Sequence, residues 1–371
     1  MKYNEIKLRL KRILSYLVIP QMNMEPILTT TTRKRRTAGR VTIRQVAARV
    51  GVSAITVSRY FKQPDTVSEE LKRQIAEAVA ELGYVPNFVA GGLASANSRI
   101  VGMVIPNISG PIFASTIQSF SDALAQHDYQ LMLSSSYFSK EQEERAVRSF
   151  LGWSPAALVL TSYFHTDATE NMIANAGVPI VEIWDLQTER HPIQVGFLHQ
   201  DVGRAAARYL IDKGYKNIAF VTNSIAGDFS ALDRRDGYLE VMAEHERATR
   251  VFTPAAQLPL EAGEEALTEL LKGADAADAI IFANDNLASG AILAAQRTGI
   301  KVPEKCAIMG FGDYAIADKL YPSLTTIRPP AKEIGEVAAN CILELVGALP
   351  KPEKNLKDFQ LECIIIERES T

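Results

Sequence analysis

Five histidines, three cysteines and 22 glycines are the residues of this 371-residue chain from which a reactive site could be assembled. Their spacing argues against most chemistry. His127, His165, His191, His199 and His245 form no HExxH and no i, i+4 pair, so each reads as a surface or ordinary structural histidine. No GxSxG turn presents a serine nucleophile, and Ser134-Ser135-Ser136 after a strand-like run reads as a polar cleft edge. Gly310-Phe311-Gly312 lacks the third glycine of a dinucleotide fingerprint, and no GxxxxGK[ST] occurs. Cys306, Cys341 and Cys363 make no CxxC pair, which disfavours a zinc ribbon or disulfide framework and suits a reducing cytoplasm. Neither metal nor cofactor is expected. The groups left over are cations and hydroxyls, and their chemistry is gripping anions.

Charge is divided unevenly. Residues 1–99 hold 17 Lys and Arg against 7 Asp and Glu, while the rest holds 23 against 36. A small cationic module on a larger acidic body suits a polyanion such as nucleic acid. The run Arg33-Lys34-Arg35-Arg36 lies in a polar arm that reads as a solvated tail or a non-specific phosphate clamp. Residues 1–39 are expected to be a disordered basic extension, or upstream sequence ahead of a start at Met22 or Met24. The run Ile13–Ile19 is broken by Ser15 and Tyr16 and has no cleavage site after it, which argues against a secretion signal. Nothing approaches the roughly 18 apolar residues that cross a bilayer.

Elements must position those cations. Ile43, Val46, Ala47 and Val50 recur at helical spacing behind Thr42 as N-cap; Gly51 ends that helix, Ser53 caps the next, and Gln63-Pro64-Asp65 breaks it. A third helix starts at Ser68, with Leu71, Ile75, Ala78, Val79 and Leu82 on one stripe, and ends at Gly83. Two short helices around a tight glycine turn, braced by a third, make a helix-turn-helix unit. A protein-docking bundle is the alternative on physics alone.

Val52-Ser53, Thr56-Val57-Ser58-Arg59, Val67-Ser68 and Leu82-Gly83-Tyr84-Val85-Pro86-Asn87, in this order, resemble the DNA-binding headpiece of the lac repressor family of bacterial transcription regulators. The resemblance implies a headpiece over 40–86 and a hinge over 87–97. It places Ala54 and Ile55 at the main base-reading positions, where apolar groups suit a thymine methyl, and makes Arg59 the hydrogen-bonding reader. A core role for Ile55 is the alternative. Thr42, Ser53, Thr56 and Ser58 are assigned to phosphate contacts or caps, and Gln45 stands where relatives usually carry Asp. Asn87, Ala90 and Leu93 fall on the hinge, in which Leu93 would wedge into the minor groove and bend the duplex. The resemblance implies a hinge that becomes helical only on the operator; Gly91-Gly92 departs from the family pattern and costs roughly 2 kcal/mol of helix propensity, so the hinge should be more strongly disordered off DNA and more easily released. A plain flexible linker is the alternative.

After Ser98 the pattern changes to alternating strand-like and helical runs: VGMVIP, QLMLSS, ALVLTS and PIVEIW, then IAFVTN, AIIFAND and CAIMGF with helices between. Two such series predict two α/β lobes with a cleft at the strand carboxyl ends. The resemblance agrees, implying a body like periplasmic sugar-binding proteins whose chain crosses between lobes near 197, 328 and 357. That gives a first lobe of 98–197 plus 329–356 and a second of 198–327 plus 357–371.

By the same resemblance Arg234, within Ser230–Tyr238, is the ligand-gripping arginine, where a guanidinium can hold a carboxylate or hydroxyl pair; a surface arginine is the alternative. Asn284 would reach the ligand, with Asp285 as helix cap or as a support behind the ligand-contacting groups. Phe113, Trp184 and Phe197 would supply apolar walls, Ser134 and Ser136 a polar edge. Relatives that bind neutral sugars often carry an aspartate where Gly312 stands. Two like charges about 4 Å apart cost on the order of 4 kcal/mol at an effective dielectric near 20, so its loss favours an acidic ligand. FLGWSPAALVLTS, VPIVEIWD and GFLHQDVGRAA resemble repressors of gluconate or 2-ketogluconate use. The expectation is a cytoplasmic, homodimeric, non-enzymatic repressor on pseudopalindromic operator DNA, with tetramers left open and a sugar-acid effector. A neutral-sugar or purine-type effector, or a sugar-binding protein without a regulatory role, are the alternatives.

Overall fold

The computed structural model describes residues 41–86, 98–161, 163–187, 192–223, 225, 227–350 and 359–371. The basic extension and the hinge residues Asn87, Ala90, Gly91, Gly92 and Leu93 lie outside the described residues.

In the headpiece, α1 (Ile43–Val50), α2 (Ala54–Lys62) and α3 (Glu69–Leu82) follow the predicted caps. Thr42 N donates to Gln45 Oε1 at 2.8 Å and the Thr42 hydroxyl donates to the same oxygen at 3.0 Å. Gln45 therefore satisfies an orphan amide at the helix start, which the family's Asp would do from the same position. Gly51 sits at φ 79° and its N–H returns to Ala47, a left-handed stop that a Cβ would strain. The tight turn it makes brings α2 across α1, so that Val46, Ala47, Val57, Ile75 and Ala78 close one small core.

The body contains two six-stranded sheets. The first uses β1 (Ile100–Ile105), β2 (Gln130–Ser135), β3 (Ala157–Thr161), β4 (Ile180–Asp185), β5 (Ile193–Phe197) and, by strand pairing, β11 (Phe359–Gln360), in the order β11-β5-β4-β3-β1-β2, all parallel. The second uses β6 (Ile218–Val221), β7 (Val251–Phe252), β8 (Ala279–Phe282), β9 (Ala307–Phe311), β10 (Thr325–Arg328) and β12 (Ile364–Ile366), in the order β12-β10-β9-β8-β6-β7, with β12 antiparallel to β10. Strands such as β3 and β8 are buried along their whole length, which is why they read as unbroken apolar runs.

The helices between are α4 (Pro111–Ala125), α5 (Lys140–Gly152), α6 (Asp167–Asn175), α7 (His199–Asp212), α8 (Phe229–Glu244), α9 (Pro259–Leu270), α10 (Asp285–Thr298) and α11 (Ala331–Leu345). Helix α11 returns to the first lobe, where the Thr116 hydroxyl donates to Ala331 O at 2.7 Å and Ser119 Oγ to Lys332 O at 2.9 Å. Strand β10 ends at Arg328, and Phe359–Gln360 pair with Val195–Gly196 of the first sheet. The last crossing thus falls at 361–363 rather than near 357: a two-residue strand is too short to leave a periodic signal. No helix among the described residues is long and apolar enough to span a membrane.

Helices α7 and α8 approach each other through two glycines. A Cβ on Gly203 would stand 1.9 Å from Arg234 O, and one on Gly237 2.0 Å from Gln200 O. The backbone carrying Arg234 is thereby held at contact distance from the helix that follows the first crossing.

Candidate functional site

In the headpiece, Ser53 Oγ accepts from Thr56 N at 3.2 Å and lies 2.9 Å from the Thr56 hydroxyl, so both serve the cap of α2. Ile55 is 68% exposed, which overturns its core alternative. Arg59 follows one turn later on the same face and is exposed, Ser58 is half-buried, and Ala54 packs partly on the core. On α3, Lys72 pairs with Glu69 and Arg73 with Glu70, and Arg49 of α1 pairs with Glu81. Arg44, Arg59 and Lys62 are left without an ion pair among the described residues. The exposed face of α2 that carries Ile55 therefore offers one apolar side chain, hydroxyls, an uncommitted guanidinium and the Lys62 ammonium.

In the body, the carboxyl ends of the two sheets meet around an aromatic cluster. The Phe113 ring lies 5.1 Å from Trp184, Trp184 6.0 Å from Phe197, and Phe197 6.3 Å from Phe311 of the second lobe. Trp184 has φ 79°, a strained conformation for a bulky residue. This breaks the alternation of β4, and the indole joins Val181 and Ile183 in the main core. Glu182 faces elsewhere, to His165.

Arg234, one turn into α8 behind its Asp228 cap, is 6% exposed. Its Nη2 donates to Ala283 O at 3.0 Å, its Nη1 to His199 Nδ1 at 2.8 Å, and its guanidinium stacks 4.1 Å from the Phe311 ring centre. Its Nε has no hydrogen-bond partner among the described residues. Arg235, by contrast, is paired with Asp236. Burial drags the Arg234 pKa down, against the fields of Asp228 and Asp185, and no carboxylate among the described residues reaches ion-pair distance. A buried cation so placed favours an anion beside it. His199 Nε2 lies 3.0 Å from Asp185 Oδ1 without hydrogen-bond alignment, and Trp184 Nε1 is likewise buried without a partner among the described residues.

Contacts between the lobes surround this centre. Ser230 Oγ donates to both Asp185 oxygens at 3.3 and 3.4 Å, and Tyr163 OH donates to Asp233 Oδ2 at 3.1 Å. Burial raises the Asp233 pKa, Tyr163 opposes and Asp185 adds to it. Phe164 stacks on Phe229 at 3.9 Å, with Lys140 Nζ 4.8 Å over Phe164.

Several expected roles shift. Asn284, not Asp285, caps α10: Leu287 N donates to Asn284 Oδ1 at 3.1 Å. Asp285 is fully buried, accepting from the Thr326 hydroxyl at 2.6 Å and Tyr314 N at 2.7 Å; burial lifts its pKa to about 6 against both bonds. Gly312 has φ 129° and a Cβ there would lie 2.3 Å from the Tyr314 ring, so conformation by itself accounts for a glycine at this position. The neighbouring Asp313 is neutralised by Arg328 at 2.6 Å and Arg368 at 2.7 Å. Ser134 is the penultimate residue of the edge strand β2, and the Ser136 hydroxyl is directed to Ile105 O at 3.4 Å. His199, Asp185, Phe311 and Tyr314 were not singled out in the sequence. Only the place of His199 at the first crossing pointed to it, because scattered histidines carry no spacing signal.

Residues 42–87 match the family model described as bacterial regulatory proteins, lacI family, and residues 207–371 that of a periplasmic binding protein-like domain. The chain is similar to the HTH-type transcriptional regulator GntR of Pseudomonas aeruginosa, 33% identical over 349 residues, covering 93% of this chain and 99% of that one. A LacI-family transcriptional regulator from Silicibacter pomeroyi superposes with TM-score 0.82 at 27% identity, over 89% of this chain and 99% of the other. The lac repressor dimer bound to operator and the anti-inducer ONPF shares the fold, with TM-score 0.76 at 23% identity, over 89% of this chain and 99% of that chain.

Proposed function

Because the chain belongs to the lacI family of bacterial regulatory proteins, and so is a DNA-binding transcriptional regulator rather than an enzyme, we propose that it is a cytoplasmic repressor of sugar-acid utilisation genes whose effector is gluconate or 2-ketogluconate. The observation that carries the effector reading is Arg234: a buried guanidinium with a donor to spare and no carboxylate partner, among Trp184 and His199, whose ring N–H groups also lack acceptors. A carboxylate on Arg234 supplies the missing charge, and the aromatic walls of Phe113, Trp184 and Phe197 suit the C–H face of a sugar chain. Asn284 retains an amide nitrogen for a hydroxyl. Gly312 contributes clearance rather than a contact.

Family members bind operator DNA and small effectors. Here the proposed dimer reads a pseudopalindrome through α2, with Ile55 on a thymine methyl and Arg59 on a base edge or phosphate. The effector acts by binding the DNA-competent and DNA-incompetent states unequally.

Calorimetric titration tests the effector: gluconate or 2-ketogluconate binds, glucose and ribose do not, and Arg234→Gln abolishes the difference. Equal affinity for glucose and gluconate overturns the sugar-acid reading and leaves the regulator.

A further inference from the structure

We propose that His199 couples effector binding to proton uptake, changing from a neutral acceptor toward Arg234 into an imidazolium held between Asp185 and the effector carboxylate. The inference rests on the anionic-effector reading above.

The geometry fixes the ring's present state. A guanidinium can only donate, so His199 Nδ1, 2.8 Å from Arg234 Nη1, carries no proton. The single ring proton then sits on Nε2, 3.0 Å from Asp185 Oδ1. The side chain is buried, 4% exposed. From β4 it faces Asp185; from α8, Arg234, with Asp233 within electrostatic reach; Phe197 of β5 and Phe311 of β9 flank the ring at 4.5 and 6.2 Å and carry no charge. Arg234 itself feels Asp228, Asp185 and Tyr314.

Seating a carboxylate on Arg234 changes both sides of that ring. The guanidinium turns its N–H groups to the new oxygens and leaves Nδ1 without a donor in a dry site. The added negative charge, together with Asp185, then favours the imidazolium, whose Nδ1–H can donate to the effector. The proton comes from solvent, and the cluster gains one positive charge as the effector brings one negative.

Titration with gluconate and 2-ketogluconate at pH 7.5 in phosphate, HEPES and Tris, which differ in ionisation enthalpy, reads the proton count. About one proton taken up per site, and a Kd that weakens up to tenfold per pH unit above neutrality, are expected. His199→Gln should bind more weakly yet show no buffer dependence, while Asp233→Asn should keep the uptake. Binding by the wild-type chain with no proton uptake overturns this inference and leaves the effector reading intact, as does uptake that survives in His199→Gln or vanishes in Asp233→Asn. Failure of both acids to bind overturns the reading and the inference together.

Discussion

Replacing Gly203 by alanine tests whether the close approach of α7 and α8 is what places Arg234. The new Cβ would stand 1.9 Å from Arg234 O, 2.7 Å from its carbonyl carbon and 3.0 Å from its Cα, where real Cβ contacts do not fall below 3.0 Å. All three are backbone atoms, so no side chain can rotate away and α8 must retreat by about 1 Å. Overpacking of this kind costs about 1–3 kcal/mol, and for a body of this size each kcal/mol lowers Tm by roughly 2–4 °C. A displacement of about 1 Å at the gripping group costs up to about a hundredfold in function. Gly203→Ala should therefore melt about 2–12 °C lower and lose most of its affinity for the proposed effector, gluconate, while still binding DNA at low temperature. Gly347→Ala is the control: φ is 76° there with nothing within 4 Å, so it carries local strain but moves no helix. Scanning calorimetry and titration on both variants decide the matter. Unchanged gluconate affinity in Gly203→Ala would refute the claim that this helix contact positions Arg234.

Further outcomes follow from other buried or exposed groups. His165 Nδ1 lies 2.5 Å from Glu143 and its Nε2 3.3 Å from Glu182, whose second oxygen accepts from Gln194 at 2.8 Å. Burial pushes the His165 pKa down, but the two carboxylates overcome it and hold it at about 9, above the unfolded value near 6.5. Its stabilisation is thus full below about pH 6.5 and lost as pH rises through 9, on the order of 3 kcal/mol at most; the Tm of the wild-type chain should fall over that window and His165→Gln should flatten the slope. Ile55→Ala should leave headpiece stability within about 0.5 kcal/mol, because the side chain is 68% exposed, yet weaken operator binding in a gel shift; a large drop in melting temperature would return Ile55 to the core. Phe229→Ala removes the ring stacked 3.9 Å on Phe164 between the lobes and should speed effector dissociation about tenfold by stopped flow; an unchanged rate would deny that stack any part in closure.

Much of this architecture is legible in the sequence because its signals are local. Thr42, Ser53 and Ser68 start helices where a short polar side chain precedes an apolar stripe, and Gly51 and Gly83 end them with φ of 79° and 61°. The buried parallel strands β1, β3, β6, β8 and β9 announce themselves as apolar runs. What could not be read depends on partners distant in the chain. Strands β7 and β11 are two residues long and exist only because a neighbouring edge pairs with them. Asp285 resembles a helix cap in sequence, yet it is drawn under the loop after β9 by Thr326 and Tyr314, and the cap passes to Asn284. His199 is one of five scattered histidines until the fold sets Arg234 on one side of it and Asp185 on the other.

The three lobe crossings have a consequence for how such a regulator can be recombined. The first lobe is assembled from 98–197, α11 and β11; the second takes the segments between and after them. No single junction in the body separates one cleft wall from the other, so a chimera that swaps only part of it mixes mismatched halves of both. The headpiece closes its own core within residues 41–86 and can be exchanged at one cut. Exchanging the headpiece with its hinge should therefore carry operator choice between relatives, whereas a new effector preference should require substitutions within an intact body.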